Sequence, residues 1–329
     1  MDATYDAWAG PTLGELGELA VLDRITSRLP TGSPILGPGD DCAVVAAPDG
    51  RFVVTTDMMV HGPDFRWAWS SPEDVGWKAA ATNLSDVAAM GAAPSGLVIA
   101  LAAPQETPVA VLEGIADGFR LAVDALAPGC GVVGGDLSTS ATFTVAVTAF
   151  GDLGGRAPVL RSGARAGDVV AVSGELGRAA RGLARLLRDG VDPKGEPDRA
   201  ATVTSGADAD PDVDRQRRPV PPIADGPRAA VAGATAMLDL SDGLAIDAGR
   251  LARASRVTLS LEVDLDEVAL HGGEDHGLLA TFPADAALPG GFRRVGVVLE
   301  RGDADLLRAG ASVPTTGWDP YADWDGAAG

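Results

Sequence analysis

The chain has 329 residues, 46% of them apolar, and a formal net charge of −20. That length and composition predict two domains of ordinary size, each with a real core, and the charge argues against a basic nucleic-acid-binding surface. No apolar run reaches the ~18 residues that a membrane helix needs.

In chain order, residues 11–30 read as a short helix after a loose N-terminus, and residues 52–59 as a strand. Ser71-Pro72-Glu73-Asp74 is a helix start, with serine as N-cap, proline at the first position and an acid at the third. That helix should run to about Met90, where Gly91 stops it. The apolar run Leu97–Ala103 is strand-sized, and Thr107-Pro108 opens a second helix ending near Leu126. Strands follow at about 131–133, 142–150 and 169–173, then a helix over 178–188. Residues 189–227 are rich in Gly, Pro, Asp and Arg and read as a long surface loop or a mobile insert. After it come a strand at 235–239, a tight turn, a helix to about Ala254, and strands near 257–263, 277–282 and 293–299. Strands alternate with helices without strict βαβ units, which predicts an α+β architecture of sheets covered by helices on one side. A boundary at Gly154-Gly155 divides the chain into 1–154 and 155–329.

Only two lysines occur, Lys78 and Lys194, and no Gly-x-x-x-x-Gly-Lys-Ser/Thr motif is present, so a P-loop is excluded. The two cysteines, Cys42 and Cys130, form no disulfide framework. Residues 1–11 lack the basic region and apolar core of a signal peptide, so a reducing cytoplasm is expected.

Aspartates recur where elements are expected to end. Asp40 and Asp41 lie in a glycine-rich turn, Asp57 follows Thr55 and Thr56 on a strand, and Asp86 lies late on the first long helix. Asp136 follows Gly134-Gly135, and Asp239 and Asp242 flank Leu240-Ser241. Taken singly, each is turn or capping chemistry. Taken together they form a set of carboxylates at sheet ends, which only divalent cations make tolerable. An all-oxygen donor set selects hard cations, Mg²⁺ above all. Mg²⁺ on carboxylates can hold a polyphosphate without a lysine cradle.

The ordered motifs are Gly14-Glu15, Gly39-Asp40-Asp41, Thr56-Asp57, Asn83-Leu84-Ser85-Asp86-Val87-Ala88-Ala89-Met90-Gly91, Gly134-Gly135-Asp136, Arg161-Ser162-Gly163-Ala164, Asp239-Leu240-Ser241-Asp242-Gly243-Leu244, Gly272-Gly273-Glu274-Asp275 and Gly317-Trp318-Asp319. From about residue 14 to 320 this set resembles the thiamine-monophosphate kinase family, within the superfamily of aminoimidazole-ribonucleotide synthetase and selenophosphate synthetase. The resemblance implies two α/β domains, the N-terminal one binding metal and ATP and pairing through its sheet edges into a homodimer, the C-terminal one closing over the nucleotide. It implies several Mg²⁺ ions on Asp41, Thr55, Thr56, Asp57, Asp86, Asp136, Asp239 and Asp242. Gly135, Arg161 and Ser241 would lie near ATP, and Asp64, Glu274 and Trp318 near thiamine monophosphate. Asp57, Asp136 and Asp239 are the residues it makes catalytic. Where the family commonly continues Gly-Gly-Glu-Asp with Tyr-Glu, this chain has His276-Gly277. The implied reaction is direct transfer of a phosphoryl group from ATP to thiamine monophosphate. A different ATP-dependent synthetase of the superfamily and a non-catalytic acidic Mg²⁺-binding scaffold are the alternative readings.

Overall fold

The computed structural model describes Trp8, residues 10–35 and residues 45–318, apart from the side chains of Glu18 and Leu19. Asp40, Asp41, Cys42 and Asp319 lie outside the described residues. The expected N-terminal helix is two short pieces, α1 (Leu13–Leu16) and α2 (Glu18–Thr26), broken at Gly17, whose φ is 77°. No described helix is long and apolar enough to cross a membrane.

Four strands make the first sheet: β1 (Val53–Val60), β2 (Ala93–Ala103), β3 (Val132–Thr139) and β4 (Thr144–Asp152), in the order β1-β4-β2-β3. Only β2 and β3 run parallel, joined through a crossover helix. That helix, α4 (Val109–Leu126), and α3 (Pro72–Ala89) cover one face. Ser71 and Asp74 cap α3 reciprocally: the Asp74 amide donates to Ser71 Oγ, and the Ser71 amide to the Asp74 carboxylate. The two helices approach so closely that a Cβ on Gly76 would stand 2.1 Å from the Ile115 carbonyl oxygen, and one on Gly118 2.2 Å from that of Glu73. Leu84, Val87, Leu112 and Phe119 fill the space between these helices and Leu97, Val145 and Val147. Each such buried side chain contributes about 1.5–3 kcal/mol. Among the described residues nothing covers the other face of the sheet at β1. There Phe52, Val54 and Met58 are 55%, 57% and 60% exposed.

The second sheet has seven strands: β5 (Val169–Ser173), β6 (Ala236–Leu240), β7 (Thr258–Leu261), β8 (Gly277–Phe282), β9 (Arg293–Leu299), β10 (Leu306–Arg308) and β11 (Ala311–Ser312). Their order is β11-β10-β7-β9-β5-β8-β6. Helix α9 (Leu244–Ser255) packs on Leu238 and Leu240 of β6, while Met237, on the other face of that strand, meets Ala89 at the end of α3. Helix α3 is thus clasped between the two sheets.

Residues 189–227, expected as a long surface loop or mobile insert, are about half helical. After α5 (Arg178–Asp189) come α6 (Arg199–Thr204), a 3-10 turn (Ala207–Ala209), α7 (Pro211–Arg217) and the start of α8 (Asp225–Val231). Asp198 and Asp210 cap α6 and α7, and Pro211 occupies the first position of α7. Val213 and Ala207 pack with Leu186 and Trp69 in a small core, and Trp77 Nε1 donates to the Pro219 carbonyl at 2.7 Å. The polarity of the segment reflects its caps and ion pairs rather than a lack of structure. The short α10 (Glu267–His271) completes the described helices.

Candidate functional site

The seam between the two sheets gathers Asp57, Asp86, Asp239 and Asp242. From β1, Thr55 and Asp57 point to the face that α3 covers. Thr55 Oγ1 donates to Asp86 Oδ2 at 2.7 Å, and the Asp57 amide donates to Asn83 Oδ1 at 3.0 Å. From β6, Asp239 shares a face with Met237 and so faces the same end of α3; it is buried, with His276 Nδ1 3.5 Å from its Oδ2. Asp242 follows in the turn before α9, where Arg250 donates to both Asp242 Oδ2 and Asp247 Oδ1 at 2.6 Å. The motif Asp239-Leu240-Ser241-Asp242-Gly243 therefore does not cap α9 by a side chain. Gly243 is the N-cap residue, and its φ of 121° brings the backbone against His271.

These carboxylates sit close enough to oppose one another's ionisation. Burial, the Asp239 charge and the Asp57 charge push Asp86 up to about 7, against the Thr55 hydrogen bond. Burial also raises Asp57, with Asp239 and Asp242 adding to the shift and His276 opposing it. His276 is fully enclosed. Burial disfavours its charge, but the neighbouring Asp239 carboxylate and the charge of Glu274 outweigh that and raise its pKa.

The donor set suits a hard cation, being carboxylates and a threonine hydroxyl with no thiol among them. Among the described residues no three Asp, Glu, His or Cys side chains close around one point.

Two clefts flank the seam. One, of about 370 Å³, is lined by Thr55, Asp86, Met90, Arg161, Met237 and Asp239. It combines an apolar wall with a guanidinium and two carboxylates. The other, of about 80 Å³, is lined by Asp64, Phe65, Arg66, Trp69, Gln216 and Trp318, among others. Asp64 is fixed by the Val60 amide, which donates to its Oδ2 at 2.7 Å, and burial raises its pKa. The Trp318 amide donates to the Asp242 carbonyl at 3.1 Å, joining this cleft to the seam.

The Gly-Gly-Glu-Asp segment divides its work. Glu274 pairs with Lys78, Asp275 accepts from the Gly177 and Ala179 amides at the start of α5, and His276 turns in under α3 beside Asp239. Ser241 takes part through its carbonyl, which accepts from the Glu274 amide at 2.7 Å.

Three expected residues stand apart. Asp57 and Asp136 both lie in mid-strand rather than at strand ends. Asp136 pairs in register with Ala100, which pairs with Ala146, which pairs with Met58, so its exposed side chain lies on the bare face, away from Asp57. Thr56 is on that face too, with Oγ1 donating to the Val147 carbonyl at 2.9 Å. Gly135 is on the edge strand β3 and lines neither cleft; a Cβ there would stand 2.3 Å from the Ile99 carbonyl oxygen. Asp41 lies outside the described residues. Lys78, Gln216 and Arg250 belong to no motif quoted from the sequence, and Asn83 opens one without a role of its own; the rarity of lysine is the signal that bears on Lys78.

The described residues thus form an α+β chain with one acidic seam and a cleft on each side. The family described as AIR synthase related protein, N-terminal domain, matches residues 39–153. The chain is 43% identical over 338 residues to a thiamine-monophosphate kinase of Mycobacterium tuberculosis (strain CDC 1551 / Oshkosh), covering 97% of this chain and 94% of that protein. It superposes with a TM-score of 0.73 on the thiamine-monophosphate kinase of Stenotrophomonas maltophilia K279a, at 30% identity, covering 91% of this chain and 98% of that one. A structure of AaThiL complexed with AMPPCP and TMP superposes with a TM-score of 0.68 at 29% identity, covering 94% and 99%. The chain belongs to the thiamine-monophosphate kinase family.

Proposed function

We propose that the chain phosphorylates thiamine monophosphate with ATP, giving thiamine diphosphate and ADP. The observation that carries this reading is the placement of Asp57, Asp86, Asp239 and Asp242 along a seam with a cleft on each side. The larger cleft, with its apolar wall and Arg161, suits the nucleotide; the smaller one, with Asp64 and Trp318, suits the cationic acceptor. The AaThiL structure, which holds AMPPCP and TMP together, supports the pairing of substrates.

The acceptor phosphate is already an anion at neutral pH, so no strong general base is required. Its oxygen attacks the γ-phosphorus, the bond to the β,γ-bridging oxygen breaks, and ADP leaves with that electron pair. The chain's task is positioning. Arg161 offers a planar fork to the nucleotide phosphates, with Ser241 and Gly135 assigned near ATP. Trp318 offers a ring face to the thiamine cation, and Asp64 and Glu274 its negative charge. Mg²⁺ would be held by Thr55, Asp57, Asp86, Asp239 and Asp242, and would neutralise the phosphates that otherwise repel one another. Asp41, Thr56, Asp136 and Gly135 keep their assignments on the family resemblance alone.

The division into domains 1–154 and 155–329 and the cytoplasmic location are part of this reading. So is a homodimer, with the exposed Phe52, Val54 and Met58 favouring the bare face of the first sheet over its edge as the contact. The test is ADP release by the purified protein with ATP and Mg²⁺, with and without thiamine monophosphate. Release that ignores the acceptor would exclude the kinase reading.

A further inference from the structure

Lys78 lies on α3 and is 5% exposed. Its ammonium stands 2.6 Å from Glu274 Oε1 and donates to the Asp64 carbonyl at 3.3 Å. The second oxygen of Glu274 accepts from Gln216 Nε2 at 3.4 Å, and Gln216 is itself buried at the end of α7. Glu274 also holds a left-handed backbone, φ 68°, pinned by its amide on the Ser241 carbonyl. Its carboxylate is therefore fixed from three sides: by α3, by the inserted helix and by its own turn. Burying an ammonium is unfavourable unless it is paired and hydrogen-bonded. A surface pair would be worth little, but this lysine is enclosed. A compact ammonium with three donors can serve a carboxylate and a carbonyl from different directions.

We propose that Lys78 is a positioning residue for the phosphate acceptor: it ties the Asp64 turn to Glu274, with Gln216 as the second clamp on that carboxylate. The inference rests on the substrate reading above and extends it. The inserted segment 189–227 thereby acquires a role in the site, since it delivers Gln216.

The experiment is a cycle of Lys78→Met, Glu274→Gln and the double variant, with Gln216→Leu beside it, using the full chain. Lys78→Met should raise KM for thiamine monophosphate about ten- to a hundredfold by misplacing Glu274, while KM for ATP moves less than about twofold. Added to Glu274→Gln it should cause little further loss. Melting without substrate gives a second readout. Glu274→Gln leaves a buried ammonium without its carboxylate and should lower Tm, and adding Lys78→Met should raise it again. Gln216→Leu should raise KM for the acceptor alone, which keeps the test alive if Lys78→Met does not fold. Equal shifts in both KM values, or additive effects of Lys78→Met and Glu274→Gln on activity and Tm, would overturn the proposal. A wild type that releases no ADP with thiamine monophosphate removes the substrate reading, while the melting cycle still decides the Lys78–Glu274 pairing.

Discussion

Thr55 Oγ1 donates to Asp86 Oδ2 at 2.7 Å, so the edge strand of the first sheet and the helix clasped between both sheets meet at one carboxylate. That carboxylate is crowded by Asp57 and Asp239. A group placed against such repulsion is held for function rather than for stability. Asp86→Asn should therefore lower kcat/KM about 10²- to 10³-fold, while the metal-free protein melts no lower than wild type. Steady-state kinetics and a melting curve in chelator check both halves. A variant that loses Tm and keeps its rate would reverse the assignment.

Mg²⁺ should act on the folded state as well as on the rate. Neutralising the seam should raise Tm as Mg²⁺ is added, because an ion that binds only the native state stabilises it by mass action. The rise should shrink in Asp57→Asn and Asp239→Asn. Differential scanning with and without Mg²⁺ measures it, and a Tm indifferent to the ion would count against metal binding at the seam.

Gly118 allows α4 to lie against α3. Its absent Cβ would stand 2.2 Å from the Glu73 carbonyl oxygen, a backbone atom that cannot rotate away. Gly118→Ala should cost about 1–3 kcal/mol through forced separation of the helices. Gly50, whose Cβ would meet nothing within 4 Å but whose φ is 75°, separates the two kinds of glycine requirement. There alanine carries only the cost of the left-handed backbone, about 1–2 kcal/mol. Urea unfolding of both variants compares them.

Lys194 is exposed in the turn between Val191 and Pro197, whereas Lys78 is enclosed on α3. A lysine-specific protease acting on the native chain should cut once, after Lys194, and leave two fragments that stay associated. Mass spectrometry of a time course checks it. Early cutting after Lys78 would mean that α3 opens under native conditions.

The homodimer predicts its own disruption. A charge placed at Val54 or Met58 on the bare face should turn a dimer into a monomer without unfolding it. Light scattering at micromolar protein distinguishes the two states, and a monomeric wild type would remove the dimer.

Strands β8 and β9 and the helix begun at Ser71-Pro72 were legible in the sequence because apolar runs and capping residues are local signals. The long strand β3 was not. Gly134-Gly135 reads as a turn, yet it lies in mid-strand, where Gly135 allows close approach to the Ile99 carbonyl. A glycine needed for a neighbour's backbone cannot be told from one needed for a turn without knowing the neighbour. The helices of 189–227 were obscured differently. Asp198 and Asp210-Pro211 read as loop residues, although an acid followed by proline also begins a helix. At the site, the motifs marked Asp57, Asp86, Asp239 and Asp242 as a group, and the fold brings them to one seam. The position of Asp136 on the bare face follows from strand register, which no spacing in the sequence reveals.

Helix α3 is synthesised early, yet many of its neighbours come late. Ala88 packs under Gly226, Lys78 finds Glu274, and Thr82 and Ser85 meet His276. As the chain leaves the ribosome, this helix can settle against α4 and the first sheet while its opposite side stays wet. The second half must then be made before that side is covered. The charged residues spaced along it, Lys78 and Asp86, keep the waiting surface soluble during this interval. The same residues that serve the finished site thus spare the nascent chain an exposed apolar flank.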